Sequence, residues 1–275
     1  MNRRAKTLLV SLPIFFISAA GAVLAAGALV SACTKKEEAA PAPPPPPAAA
    51  PAAPGAAAPA AAPAATGAAT IKGTVKLTGA PPEMKMLSRD ADPFCGRKKM
   101  KEEDVLVGPG GGLENVLVRI TKGVTGSYPP PPAPARIDQI DCMYRPRIQG
   151  AIVGQPILVG NGDQTLHNVH TYKGPSTIFN QAQIPGMAPM TKKLEDADTI
   201  VKFKCDVHPW MTGYVGVSSH PFFAVTRGDG TFTIAKVPAG KYTLEAWHER
   251  FGSKSAEITV AADQPVTADF SFESK

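Results

Sequence analysis

The seven residues from Cys205 to Met211 carry the strongest constraint on how this chain can fold. They place a thiol, an imidazole and a thioether on Cys205, His208 and Met211, at intervals of three residues. These donors suit copper, which proteins hold with one cysteine and two histidines in a plane and a weak axial methionine. Because one short loop cannot surround an ion, the fold must bring a second histidine to this loop from elsewhere.

Two histidines, His167 and His170, are candidates for the second imidazole. They are three residues apart in a stretch that reads as a strand, so they face opposite sides and only one can reach the ion. The alternation of Val201, Phe203 and Cys205 places the cysteine on the inward face of its own strand. Free buried thiols are unusual in exported chains, which favours a metal ligand. The residues alone leave the choice of histidine open.

The loop and the stretch from His167 to His170 together resemble the cupredoxins of the amicyanin and plastocyanin type, which are small β-sandwich electron carriers. The resemblance covers about residues 137–218. It implies that Asn168 ties the two ligand segments together and so orients the ligands, which leaves His170 as a structural or surface histidine. It also implies one type-1, or blue, copper ion with four ligands, His167, Cys205, His208 and Met211.

The same resemblance implies a route for electrons. In cupredoxins the exposed edge of the histidine in the loop, here His208, is where electrons leave. Pro209 and Trp210 lie inside the loop, and with Met187 and Met190 they would form an apolar patch around that edge. The alternative is that these four residues simply pack the loop.

Residues 1–33 are typical of a bacterial lipoprotein signal peptide. Three basic side chains lie within the first six residues, an apolar run extends from Leu8 to Val30, and small residues precede Cys33. In this interpretation Cys33 is the lipidated first residue of the mature protein. The run is also long enough to be an uncleaved transmembrane anchor. Both interpretations predict a folded part on the periplasmic side of a membrane and attached to it.

Residues 34–69 are almost entirely Ala and Pro after a short charged patch. Such a segment cannot bury a core and predicts a disordered, semi-extended linker. The formal net charge of the chain is +6, and removal of the signal's three cations leaves +3. On a chain with mixed charges, a value this small argues against nucleic acid as a partner.

Short strand patterns fill the rest of the chain, and no window predicts a long amphipathic helix. The alternation from Ile71 to Leu77 and the apolar residues from Leu113 to Ile120 predict two strands. Further strands are predicted from Ile148 to Val153, Pro156 to Gly160, Thr165 to Tyr172, Thr199 to Cys205 and Gly213 to Val217. Another run of short strands, from Phe222 to Phe272, completes an all-β prediction of the β-sandwich class.

The last run of strands resembles the carboxypeptidase regulatory-like domain, a small transthyretin-like β-sandwich. The resemblance rests on residues 226–232 and 237–244, which contain Asp-Gly and Ala-Gly turn signals. That family also has a strand like Asn115–Val118, but there it leads straight into the Asp-Gly turn. We therefore predict an inserted cupredoxin-like domain, residues 135–219, in a discontinuous sandwich of residues 70–125 and 220–275. A single elaborated sandwich is the competing interpretation.

Two cysteines and two histidines remain unassigned. In an exported chain Cys95 and Cys142 are candidates for a disulfide, although connectivity does not follow from the sequence. His220 and His248, with a nearby carboxylate, have the residue types of a second metal site. The alternative is that they are interface or surface histidines, and the sequence favours that interpretation.

The predicted function is that of a lipid-anchored blue-copper protein that carries single electrons between redox partners, such as a cytochrome, an oxidase or a dehydrogenase. We expect no catalysis, since multicopper enzymes need several further histidines and few remain here. A catalytic role with a second copper site stays open. So do copper storage or delivery and a structural role in a larger redox complex.

Overall fold

The structure, a computed structural model, describes residues 67–274. Within this range the chain forms seventeen β-strands and two single 3-10 turns, at Cys95–Arg97 and Pro109–Gly111. The all-β prediction is therefore confirmed. No helix among the described residues has the length and apolar character needed to cross a bilayer. The predicted signal peptide, the lipidation site Cys33 and nearly all of the predicted linker lie outside the described residues.

The strands are short and follow one another closely along the chain. The first eight are β1 (Ala69–Thr78), β2 (Leu117–Lys122), β3 (Ala135–Ile140), β4 (Met143–Arg145), β5 (Ile148–Ile152), β6 (Pro156–Asn161), β7 (His167–Lys173) and β8 (Ser176–Gln183). The others are β9 (Met190–Lys193), β10 (Thr199–Lys204), β11 (Thr212–Ser218), β12 (Phe223–Val225), β13 (Thr231–Val237), β14 (Gly240–His248), β15 (Gly252–Val260), β16 (Val266–Thr267) and β17 (Phe270–Glu273).

One hydrophobic core is built from the two ends of the described chain. Strand β1 pairs with β13, β16 and β17, and a second sheet has the order β12-β2-β14-β15. The buried side chains of this core come from residues 69–120 and 222–272. Every strand partner of β1 thus lies more than 150 positions further along the chain, as in the pairing of Ile71 with Ile234 and of Val75 with Phe270.

A second hydrophobic core lies between the other two sheets. Their orders are β5-β11-β10-β7-β8 and β4-β3-β6-β9. Apart from Cys95, its buried residues fall between Ala135 and Val217. Strands β7 and β10 are antiparallel neighbours in the middle of the five-stranded sheet, with Lys204 paired to His170. This pairing sets the start of β7 beside the loop that follows β10.

The strand predictions differ from the structure in two ways. The second strand begins at Leu117 instead of Leu113, after Asn115 adopts a left-handed backbone conformation with φ of 62°. Strands β3, β4, β8 and β9 have no counterpart in the predicted set. Strand β8 lies at the edge of its sheet and most of its side chains are exposed or half-buried, so it lacks a clear apolar alternation.

Candidate metal centre

Three donor atoms converge where β7 begins and β10 ends. The Nδ1 atoms of His167 and His208 lie 2.9 Å apart. The Sγ atom of Cys205 lies 3.9 Å from Nδ1 of His167 and 3.7 Å from Nδ1 of His208. All three side chains are buried, and the three atoms form a group able to hold a metal ion.

The spacing of these atoms fits a single ion at their centre. Metal–nitrogen and metal–sulfur bonds of about 2.0 and 2.3 Å, arranged in a plane at about 120°, separate two nitrogens by about 3.5 Å and a nitrogen from sulfur by about 3.7 Å. The sulfur–nitrogen distances here match that value. The two nitrogens are somewhat closer, at 2.9 Å. One thiolate and two imidazoles are the donor set that copper prefers in a trigonal site.

Met211 closes the ligand loop from its far end. Its side chain is fully buried and belongs to the same hydrophobic core as Cys205. Its backbone N–H donates to the carbonyl oxygen of His208 at 2.9 Å, and the N–H of Cys205 donates to the carbonyl oxygen of Met211 at 3.3 Å. These two bonds fold residues 205–211 into a tight loop that carries all three of its predicted ligands.

Asn168 joins the two ligand segments, as the resemblance implies. Its side-chain oxygen accepts a hydrogen bond from the backbone N–H of Asp206 at 2.7 Å. Its backbone N–H donates to the Sγ atom of Cys205 at 3.5 Å. The Tyr144 hydroxyl, which the sequence did not single out, lies 3.2 Å from the carbonyl oxygen of Asn168 and 3.0 Å from that of Lys204. The segments before and after the site are therefore held in a fixed relation.

The environment of Cys205 favours its thiolate form. Burial opposes ionisation, but hydrogen bonds with His167 and His208 and from the backbone N–H of Asn168 outweigh it and lower the pKa of the thiol to about 6. The thiolate is the form of cysteine that binds metals. The surroundings of Cys205 therefore favour the form of the side chain that can bind a metal.

Two carboxylates fix the orientation of both imidazoles. Nε2 of His167 lies 2.9 Å from Oδ2 of Asp163, and Nε2 of His208 lies 3.0 Å from Oδ2 of Asp92. In a neutral ring that donates from Nε2 the lone pair lies on Nδ1, whereas an Nδ1 atom that donates to Cys205 carries a proton that an incoming ion must displace. Such carboxylate–histidine pairs set the tautomer of metal ligands and raise their basicity. Burial opposes the charged form of His167, but Asp163 and Cys205 outweigh it and raise its pKa.

The sequence predictions assigned no role to Asp92 or Asp163. Asp163 lies four residues before His167 and close to the predicted strand. This short separation was a sequence feature from which the contact between the two side chains could be predicted. Its two oxygens also accept the backbone N–H groups of Asp141 and Cys142, at 2.8 and 2.7 Å. Asp92 lies outside the cupredoxin-like stretch, and no local pattern connects it to His208.

The prediction that the edge of the His208 ring is exposed is wrong. Only 1% of this residue is accessible, because the segment around Asp92 and Cys95 covers the ring. The Trp210 ring lies 5.1 Å from that of His208, and its Nε1–H donates to the carbonyl oxygen of Cys142 at 3.0 Å. Met190 is buried in the second core and is not part of an exposed patch.

The remaining predicted histidines lie apart from the three donor atoms. His170 is only half-buried and bonds to Asp206 and Thr177. His220 and His248 are buried separately, their Nδ1 atoms accept nearby backbone N–H groups, and burial lowers both pKa values, that of His248 to about 4. Neither of them belongs to a group of potential metal ligands within the described range. The structure joins Cys95 to Cys142 in a disulfide.

The two candidate histidines are distinguished by substitution. We expect His167→Gly to open the donor plane, so that the copper-loaded protein loses its blue absorption band and added imidazole restores part of it. His170→Gln is the matched control and should leave the visible spectrum nearly unchanged, because this side chain lies outside the donor group. A protein that is bleached by His170→Gln and keeps its colour with His167→Gly would show that the ligand assignment is wrong.

Comparison with protein families gives one match, to the carboxypeptidase regulatory-like domain at residues 215–273. This agrees with the resemblance of the last strands, and the match begins inside β11, earlier than the predicted boundary at residue 220. No curated protein matches the chain.

Solved structures with similar folds include cupredoxins and one copper enzyme. A purple cupredoxin from Nitrosopumilus maritimus is 25% identical over 30% of this chain and 99% of its own, with a TM-score of 0.28. A mutant of amicyanin in its reduced state is 20% identical over 36% of this chain and all of its own, with a TM-score of 0.29. A copper-containing nitrite reductase from Thermus scotoductus is 17% identical over 34% of this chain, with a TM-score of 0.29, and the match spans only 24% of that enzyme.

Proposed function

We propose that this protein binds one copper ion through His167, Cys205, His208 and Met211 and carries single electrons between redox partners. The observation that carries the proposal is the convergence of two imidazole Nδ1 atoms on a buried cysteine sulfur whose pKa is lowered to about 6. The fourth ligand follows from the loop, which buries the Met211 side chain in the same core. A copper ion held in this way supplies reversible one-electron chemistry.

The protein's own part in that function is to hold the donors still. His167 is the first residue of β7, and Cys205 directly follows β10, which is the antiparallel neighbour of β7. Asn168 and Tyr144 hold the two segments together, and the carboxylates of Asp92 and Asp163 fix the rings. A site whose donors move little when the charge on the ion changes favours fast electron transfer. Burial of all four side chains also excludes water from the site.

We favour an electron carrier over copper delivery for the same reason. Both ligand rings are hydrogen-bonded on the side away from the donor group, and all four ligand side chains are buried. Release of an ion would require these contacts to open. An enzyme with a second copper would need further ligands near the site, whereas His170, His220 and His248 are elsewhere in the described structure.

The edge of His208 is covered, so a redox protein must approach elsewhere. We propose that it binds at the surface formed by Leu166, Ile184 and Val207. These side chains are exposed by 43%, 58% and 50%. Leu166 and Val207 each precede a proposed ligand in the sequence, and Ile184 follows the residue that pairs with His167. Exposed apolar side chains grouped in this way favour protein–protein contact.

The two cores support the proposal that the copper-binding region is an insertion. The sandwich of residues 70–125 and 220–275 accounts for the first core except Ala69, and residues 135–219 account for the second core except Cys95. The chain leaves the first core after β2 and returns to it at β12, which is an antiparallel neighbour of β2. Chain ends that lie close together are the usual site of such insertions.

We further propose that the mature protein begins at a lipidated Cys33 and is held at the periplasmic side of a bacterial membrane. The basis is the sequence of residues 1–33, and the linker to residue 69 would let the folded part reach its partners. We expect mass spectrometry of the membrane fraction to find an N-terminal peptide that starts at an acylated Cys33. Recovery of a peptide with an intact Met1, or of a soluble form cleaved elsewhere, would count against the anchor.

Copper titration of the metal-free protein tests the proposed function. We expect one copper ion per chain and one reversible one-electron wave in voltammetry. Binding of several ions per chain with no reversible wave would favour storage over electron transfer.

A further inference from the structure

Residues 89–98, which we call the cover segment, lie on top of the proposed copper site. The segment follows β1 and precedes β2, so it comes from outside the cupredoxin-like stretch of residues 135–219. Oδ2 of Asp92 is 3.0 Å from Nε2 of His208, and Sγ of Cys95 is 3.6 Å from the same nitrogen. The ring nitrogen that points away from the donor group is therefore in contact with protein instead of water.

The cover segment is fastened to the second core at several points. Cys95 forms a disulfide with Cys142. The Arg89 guanidinium donates to the carbonyl oxygens of Lys98 and Asp141, which joins both ends of the segment to the turn after β3. Lys98 also forms an ion pair with the Asp141 carboxylate at 2.6 Å. Arg89 and Cys95 are the two buried residues of the segment, and they anchor it to the second core.

Asp92 uses both of its oxygens as acceptors. Oδ1 accepts the backbone N–H groups of Phe94 and Cys95 at 2.8 and 3.0 Å. Oδ2 accepts the Thr165 hydroxyl at 2.6 Å and the Nε2–H of His208. An ionised carboxylate has no proton to donate, so its contact with His208 requires the proton to sit on Nε2 of the ring.

We propose that the cover segment is a fixed cap on the copper site, in which Asp92 is a positioning residue that holds His208 as the Nε2–H tautomer with Nδ1 free to bind the ion. The inference deepens the proposed function and rests on it. Carboxylate partners of this kind orient ligand imidazoles and increase their basicity. A hydrogen bond of the same kind, with the Asp163 carboxylate, orients His167.

The disulfide connects the Asp92–His208 pair to the Asp163–His167 pair. The backbone N–H of Cys95 donates to Asp92, and the backbone N–H of Cys142 donates to Asp163. Each half of the disulfide thus supports the carboxylate that orients one of the two ligand rings. The bridge places both carboxylates in one covalently linked frame, although they come from segments far apart in the chain.

The substitution Asp92→Asn tests the positioning role. The amide can keep one oxygen on the backbone N–H groups, but its nitrogen then faces Nε2 of His208, and two donors cannot share a hydrogen bond. The ring should respond by moving its proton to Nδ1. Asp90→Asn is the matched control, because Asp90 lies in the same segment, is exposed, and pairs its carboxylate with Lys99 at the surface.

The tautomer is measured on the metal-free full chain with 15N-labelled histidine. We expect a slowly exchanging Nε2–H on His208 in the unchanged protein and in Asp90→Asn, and an Nδ1–H on His208 in Asp92→Asn. In the double variant Cys95→Ser, Cys142→Ser we expect the Nε2–H to exchange about tenfold faster or more, because the cap opens locally without unfolding the core.

A copper competition assay provides the second readout. We expect Asp92→Asn to lower copper affinity by about 10–100-fold, as removal of such a partner generally does, with Asp90→Asn unaffected.

Two results would overturn the positioning role. One is an Nδ1–H on His208 in the protein without substitutions, and the other is an Asp92→Asn protein whose tautomer and exchange do not change. Unchanged exchange in the double cysteine variant would overturn the fastening role of the disulfide. If the tautomers behave as expected but no variant binds copper, the positioning role stands and the proposed function fails.

Discussion

Replacement of Cys205 by Ser is expected to abolish the intense colour of the copper-loaded protein. The colour of a blue-copper site comes from charge transfer between a cysteine thiolate and copper, and a serine hydroxyl provides neither the sulfur nor, at neutral pH, the negative charge. Cys205 is the only free cysteine within the described residues, so no other thiol there can replace it. The visible spectrum of the copper-loaded variant measures the effect.

Val207→Ser is the matched control for this substitution. It places the same side chain in the same loop, at a position that is 50% exposed and belongs to neither core. We expect this variant to keep both its copper and its colour. Colour that survives in Cys205→Ser would show that the thiolate is not a ligand, and the ligand set proposed here would then be wrong.

A chain that ends at Ser219 is expected to lose the fold of its first strands. Within residues 67–274 the strands that pair with β1 are β13, β16 and β17, and all three would be absent. The first core would also lose buried side chains such as Leu244, Phe270 and Phe272. At about 1.5–3 kcal/mol for each large apolar side chain, a few of them match the total stability of a domain, which is about 5–15 kcal/mol.

Thermal unfolding compares residues 70–219 with residues 70–275. We expect the longer protein to unfold cooperatively, and the shorter one to lose the transition that belongs to the first core. All residues of the second core in the described structure lie before Ser219, so binding of copper by the shorter protein is the internal check that this region still folds. A shorter protein that melts cooperatively at the same temperature would contradict the inserted-domain proposal.

Local rules narrowed the proposed ligands to Cys205, His208, Met211 and one of His167 and His170, and the family resemblance selected His167. The spacing of Cys205, His208 and Met211 within one loop, and the strand parity that separates His167 from His170, are properties of short segments. The all-β class follows from similarly local signals. The strands that were missed are short or lie at sheet edges, as β8 does, and their side chains are too exposed to show an alternating pattern.

The carboxylate partners could not be derived in the same way. Asp92 reaches His208 across 116 residues, and only the folded chain brings the two together. The segment that carries Asp92 has no periodicity, so the sequence gives no reason to place it over the copper site. The exposed edge of His208 was expected from the family resemblance, which covers residues 137–218 and contains nothing of the cover segment. The covering of that edge depends on a part of the chain outside the resemblance.

The visible absorption and electron paramagnetic resonance spectra of the copper-loaded protein test the central claim most directly. The proposed donor set of one thiolate, two Nδ1 atoms and one thioether would give bound copper an intense charge-transfer band and the small hyperfine splitting of a type-1 site. A colourless protein that contains one Cu(II) per chain, with the large hyperfine splitting of a tetragonal site, would contradict the proposed copper centre.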